Sequence, residues 1–126
     1  LAGMQAPDQV RLEDWCRRNV ALYRQNETTC LILTQATAIE PDLYWKIAGF
    51  QNVLIDMLAR KNAALAHLEA DEAGRHRAAF ALYQLDQACY FLTVRRIQQD
   101  PEAAIVAMAA QLLHFFENEM ARGASL

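Results

Sequence analysis

The 126-residue chain is poor in glycine, proline and serine, and each scarcity argues against a class of site. The four glycines, at positions 3, 49, 74 and 123, are scattered, so no glycine-rich phosphate loop is present. The only serine is Ser125, which leaves no serine nucleophile beside a base. The longest uncharged apolar stretch is interrupted by Gln111 and His114 and is too short to span a bilayer. We therefore expect no nucleotide-binding loop, no serine hydrolase and no membrane partner.

Cysteine is also scarce, with Cys16, Cys30 and Cys89 each among apolar neighbours. An odd number without clustered spacing fits neither a disulfide framework nor a zinc site. The sequence therefore predicts reduced thiols that act as small hydrophobes, and a cytoplasmic location. Arginine outnumbers lysine ten to two and alanine is abundant, a bias typical of GC-rich bacterial genomes.

The overall charge is low, at −3. Apolar residues make up 54 % of the chain and charged residues 21 %, a balance typical of a folded domain rather than a disordered chain. A weakly acidic chain has no general attraction to phosphate backbones, so we expect no nucleic-acid partner.

Each proline is followed by an acid and precedes a segment of helical periodicity. Proline suits the first helical position because its missing N–H would be unpaired there, and an acid complements the helix dipole. Strand-like alternation is absent. We predict a chain more than two-thirds helical, with four helices over residues 8–37, 41–69, 71–98 and 101–122, of which the first is either continuous or broken near Asn26.

Four helices with short connections predict an all-α, antiparallel four-helix bundle that associates as a dimer. The predicted domain covers residues 8–122. Residues 1–7 are expected to be a disordered tail or a cloning remnant, and residues 123–126 a C-terminal tail that follows a helix stop at Gly123.

The 41–69 helix has one apolar stripe, predicted to be buried. Asp56, Arg60 and His67 fall on the opposite face, where Asp56 and Arg60 would form a solvated ion pair. Trp45 lies on that outer face as a candidate contact for another protein. The stripe consists of Leu43, Ile47, Phe50, Leu54, Leu58, Leu65 and Leu68.

The 71–98 helix has two opposed apolar stripes, which a small bundle cannot easily bury at once. The first, a predicted core seam, consists of Ala78, Leu82, Leu85, Cys89 and Leu92. The second is aromatic and consists of Phe80, Tyr83, Tyr90, Phe91 and Val94. The second stripe is either a helix face buried within its own fold or an interface with another chain, because aromatic residues dominate interface centres.

Two pairs, Glu72 with His76 and His114 with Glu117, could each present two ligands on one helical face. Metal sites in helical bundles need inward carboxylates from several helices, and that pattern is missing. We therefore predict no metal and no other cofactor.

These observations predict a protein without catalysis of its own, which binds a protein of unknown identity through an aromatic helix surface. An inhibitor or antiactivator of a regulatory protein and a chaperone-like adaptor both fit. The alternative is a small-ligand or metal-binding helical bundle, which predicts a pocket lined by convergent polar groups.

Overall fold

A computed structural model describes residues 1, 3–93 and 100–126, without the side chain of Tyr44. Within these residues 87 % of the chain is helical and there is no strand, which confirms the all-α prediction and the expected helix content. The helices in order are α1 (Gln9–Gln25), α2 (Glu27–Ile39), α3 (Pro41–Lys61), a 3₁₀ helix (Ala63–Glu69), α4 (Glu72–Thr93) and α5 (Pro101–Ala124).

Acidic side chains cap two of the predicted helix starts. The Asp8 carboxylate accepts a hydrogen bond from the backbone N–H of Arg11 at 2.8 Å, just before α1. The Asp100 carboxylate accepts one from the backbone N–H of Glu102 at 3.0 Å, before α5. Both bonds satisfy donors that the first helical turn leaves unpaired. Pro41 is the first residue of α3, as predicted.

Asparagine residues interrupt the two long helices of the sequence prediction. Asn26 separates α1 from α2, so the break predicted near this residue is present. Asn62 has an extended backbone, and its side chain accepts a hydrogen bond from the backbone N–H of Ala64 at 3.0 Å. The predicted 41–69 helix is therefore wrong beyond Lys61, because the Asn62 side chain caps the separate 3₁₀ helix.

The core forms where α1, α4, α5, the C-terminal part of α3 and the 3₁₀ helix meet. By contrast, α2 contributes no buried residue. Three residues of the predicted seam of α4 are buried and two, Leu82 and Leu92, pack partly exposed against the core. The largest fully buried side chains are Phe116, Leu12, Ile55, Leu65, Leu68, Glu119, Cys16 and Cys89.

Both ends of the chain contact this core. Leu1 and Met4 pack against it, and the carbonyl of Met4 accepts a hydrogen bond from the Asn62 side chain at 3.3 Å.

Gly123 does not stop α5, which continues to Ala124. A Cβ at Gly123 would lie 2.6 Å from the carbonyl oxygen of Ala64 and 2.8 Å from Nδ1 of His67. Glycine therefore lets α5 approach the 3₁₀ helix closely.

We expect Gly123→Ala to lower the free energy of unfolding by about 1 to 3 kcal/mol, because the new methyl group overlaps a backbone oxygen. Gly49 is the matched control, since a Cβ there meets no atom within 4 Å. Gly49→Ala should raise stability by about 0.5 to 1 kcal/mol through helix propensity. Urea denaturation measures both values, and equal effects of the two substitutions would contradict the close approach.

Candidate protein-binding surface and adjoining cleft

Large apolar side chains are concentrated on the surface of α2 and α3. Among the described residues, nine of the sixteen exposed large hydrophobic side chains belong to these two helices. A single exposed leucine is ordinary, whereas a concentration of this kind on two helices makes their surface a candidate for binding. The nine are Leu31, Ile32, Leu33, Ile39, Trp45, Phe50, Val53, Leu54 and Met57.

Four of these residues form one outward stripe along α3. Phe50, Val53, Leu54 and Met57 follow the i, i+3, i+4, i+7 spacing that places side chains on one helical face. Their exposed fractions are 69, 54, 46 and 37 %. The prediction that Phe50 and Leu54 are buried is therefore wrong. The core covers the opposite face of the C-terminal part of α3, where Ile55 and Leu58 are buried.

The described residues of the predicted aromatic stripe of α4 lie in two different places, the exposed surface and a cleft. Phe80 is 68 % exposed and lies beside α5, and Phe91 is also exposed. Tyr83 and Tyr90 instead line a cleft that α4 shares with α1, α2 and α3, although Tyr83 remains about half exposed. The rings of Tyr90 and Phe91 meet edge to face at a centroid distance of 6.1 Å.

The two remaining predicted contact residues are Val94 and Trp45. Val94 lies outside the described residues. Trp45 is exposed on α3, as predicted for an outer-face residue. At about 100° per residue, Trp45 lies on a different side of α3 from the outward stripe that contains Phe50.

The cleft beneath α2 has a volume of about 240 Å³. Tyr23, Tyr83 and Tyr90 line it, together with Asp86 and apolar residues that include Ile47. Partial burial within the cleft raises the pKa of the Asp86 carboxyl, which retains access to solvent. The arrangement combines aromatic faces, hydroxyl groups and one carboxylate, so it can take up a small molecule.

The thiols are poor nucleophiles in this structure. Burial raises the pKa of Cys16 to about 11 and that of Cys89 to about 12, so both thiols are protonated at neutral pH. Asn19 donates a hydrogen bond to the sulfur of Cys89 at 3.3 Å, which gives this polar residue a partner at the core edge. Cys30 lies in the cleft, where burial also raises its pKa.

A buried carboxylate, Glu119, joins α5 to the 3₁₀ helix and α4. Its side chain is 1 % exposed. Oε2 accepts hydrogen bonds from Nε2 of His67 at 3.0 Å and from Nη2 of Arg77 at 3.2 Å, and Oε1 accepts one from Nε of Arg77. Burial alone raises the pKa of Glu119, but the bonds from Arg77 and His67 outweigh it, so the pKa lies below its ordinary value.

Two side-chain placements predicted for this region are wrong. His67 is buried rather than outward, because the 3₁₀ helix turns once every three residues and an α-helical projection misplaces its faces. Asp56 pairs with Arg75 of α4, at 2.7 Å, rather than with Arg60. Both contacts tie the end of α3 and the 3₁₀ helix to other parts of the core.

The sequence contains signals for two features that the sequence analysis did not predict, the burial of Glu119 and the exposed apolar residues of α2. Glu119 follows Phe116 by three residues and Leu112 by seven, which places it on the apolar side of α5. Residues 30–33 within α2 are four consecutive apolar residues. Their side chains point in different directions around the helix axis, so no rotation of this short helix can bury them all against one surface. Residues from different helices that line the cleft carry no such signal.

In the part of the chain that the structure describes, no group of three or more His, Cys, Asp or Glu side chains could hold a metal ion. No helix there is long and apolar enough to cross a membrane. Comparisons with protein-family models, curated proteins and solved structures found no match for the chain. Any functional proposal therefore depends on the geometry described above.

We expect Glu119→Gln to lower the free energy of unfolding by about 3 kcal/mol at neutral pH, because Arg77 loses the charge of its buried partner. Glu117→Gln is the matched control, since this glutamate is exposed on the same helix and should change stability by less than about 0.5 kcal/mol. Urea denaturation compares the two variants. An equal decrease in the free energy of unfolding in both variants would show that the hydrogen bonds of Glu119 with Arg77 and His67 do not stabilise the fold.

The stabilising effect of Glu119 should depend on acid pH. The pKa of this carboxyl is lower in the folded than in the unfolded protein, where it is near 4.5, so the unfolded state takes up the proton more readily. The contribution is complete above that unfolded value and is lost as pH falls through the lower folded value. The unfolding temperatures of the wild type and Glu119→Gln should therefore converge as the pH falls below the unfolded value, and a constant difference would contradict the assignment.

Proposed function

We propose that the protein acts without catalysis by binding other protein chains, and that a second copy of itself covers the outward stripe of α3. The observation that supports this proposal is the exposed i, i+3, i+4, i+7 series of Phe50, Val53, Leu54 and Met57. Helices use this spacing to pack against each other. A homodimer brings the stripe of one copy against the identical stripe of the next, in an arrangement with twofold symmetry.

Burial of the stripe favours association over a free monomer. Removing apolar surface from water yields about 25 cal/mol per Å², and phenylalanine is the largest member of this series. The stripe contains no charged residue, so its burial does not require an unpaired charge to leave water. Within each copy, α1, the C-terminal part of α3, α4 and α5 would constitute the four-helix bundle.

The wider role that fits these surfaces is that of a cytoplasmic bacterial regulator. The exposed aromatic residues Trp45, Phe80 and Phe91 offer the type of side chain that anchors protein interfaces. An inhibitor or antiactivator would use them to occupy a regulatory protein, and a chaperone-like adaptor would use them to shield an apolar segment of its client. The small-ligand alternative is supported by a different observation, the tyrosine-lined cleft.

We expect the wild-type protein to sediment as a dimer and the double variant Phe50→Glu, Met57→Glu as a folded monomer. Pairing would place four added carboxylates in an apolar interface, at a cost of several kcal/mol. Sedimentation velocity over a range of concentrations measures the oligomeric state. Circular dichroism verifies that the variant remains helical.

The control variant is Val10→Glu, which adds a carboxylate at another exposed apolar position, on α1 and outside the stripe. It should remain dimeric. A monomeric wild type, or a double variant that remains dimeric, would show that the stripe is not covered by a second copy.

A further inference from the structure

Among the described residues that line the cleft between α4 and the α2–α3 region, Asp86 alone is charged, and none is a lysine, an arginine or a histidine. Asp86 forms no hydrogen bond or ion pair with the rest of the described chain. A negative charge in a partly enclosed space attracts cations and repels anions.

Three tyrosines line the cleft together with this carboxylate. Tyr23 comes from α1, and Tyr83 and Tyr90 come from α4 on the same side as Asp86. Aromatic faces attract ammonium groups through their electron-rich centres, and the attraction is greater where water is partly excluded. The hydroxyl groups of the tyrosines can also accept hydrogen bonds from an ammonium N–H.

The rest of the described lining is mixed, and its apolar part suits an organic cation. Leu33, Ile47 and Ala48 supply hydrocarbon surface, the threonines and glutamines are uncharged, and Asp86 is the one carboxylate among the described lining residues. A hard metal ion would require several oxygen ligands of fixed geometry. The volume of about 240 Å³ is also below that of pockets for drug-sized ligands, roughly 300 to 1,000 Å³, which limits the occupant to a small molecule.

We propose that this cleft binds a small organic ammonium ion, with Asp86 as the counter-charge, the tyrosines around the ammonium group and the aliphatic residues against its hydrocarbon part. Partial burial raises the pKa of Asp86, and a bound ammonium ion would stabilise the charged form of this carboxylate. The cleft borders the outward stripe of α3 but shares no residue with it, so separate variants can test the two surfaces.

The test compares 2-phenylethylammonium with 2-phenylethanol, a neutral molecule of similar shape, by isothermal titration calorimetry. The ammonium ion should bind at least about tenfold more tightly than the alcohol, because only the ion gains from Asp86 and the aromatic faces. Asp86→Asn should remove most of that preference with little effect on the alcohol. Tyr90→Leu should weaken ammonium binding about three- to tenfold through loss of an aromatic face.

Glu117→Gln serves as the charge-matched control, because it removes one carboxylate from an exposed site outside the cleft. It should leave ammonium binding unchanged. Circular dichroism and sedimentation should show that Asp86→Asn retains its helices and the oligomeric state of the wild type. Equal affinity for ion and alcohol, absence of ammonium binding at millimolar concentration, or equal losses in Asp86→Asn and Glu117→Gln would each overturn the proposal.

Discussion

The burial of apolar side chains is the constraint on which the arrangement depends. Helices α1, α4 and α5, with the end of α3 and the 3₁₀ helix, enclose the core without a single buried residue from α2. The apolar residues of α2 and of the outward face of α3 therefore have no place in that core. They remain at the surface, where the outward stripe of α3 would bind a second copy, or they line the cleft, which would bind an ammonium ion.

Close packing and a buried polar contact hold the 3₁₀ helix against α5. The absence of a side chain at Gly123 lets the two helices approach, and Glu119 joins them through His67 while it also binds Arg77 of α4. A buried carboxylate of this kind is costly unless its partners stay in position. The polar network therefore favours one specific packing of three chain segments, whereas apolar contacts alone would tolerate several.

Local chemistry made the helical content and most helix starts predictable from the sequence. Asp8, Asp100 and Asn26 form hydrogen bonds with neighbouring backbone groups, Pro41 begins α3, and the structure contains the corresponding helix boundaries. The burial of Phe50 and the exposure of His67 were predicted incorrectly for different reasons. Phe50 lies on an apolar stripe that the core does not reach, and the position of His67 depends on the change from an α-helix to a 3₁₀ helix. The cleft combines residues from four helices, which no periodicity within one helix can reveal.

Isotope-filtered nuclear Overhauser spectroscopy on an equimolar mixture of labelled and unlabelled protein would test the central claim, that a second copy covers the outward stripe of α3. The methyl groups of Val53 and Leu54 in the labelled copy should show contacts with protons of Phe50 or Met57 in the unlabelled copy. Contacts between copies that involve only other surfaces, such as Phe80 and Phe91, or no contacts between copies at all, would contradict the account.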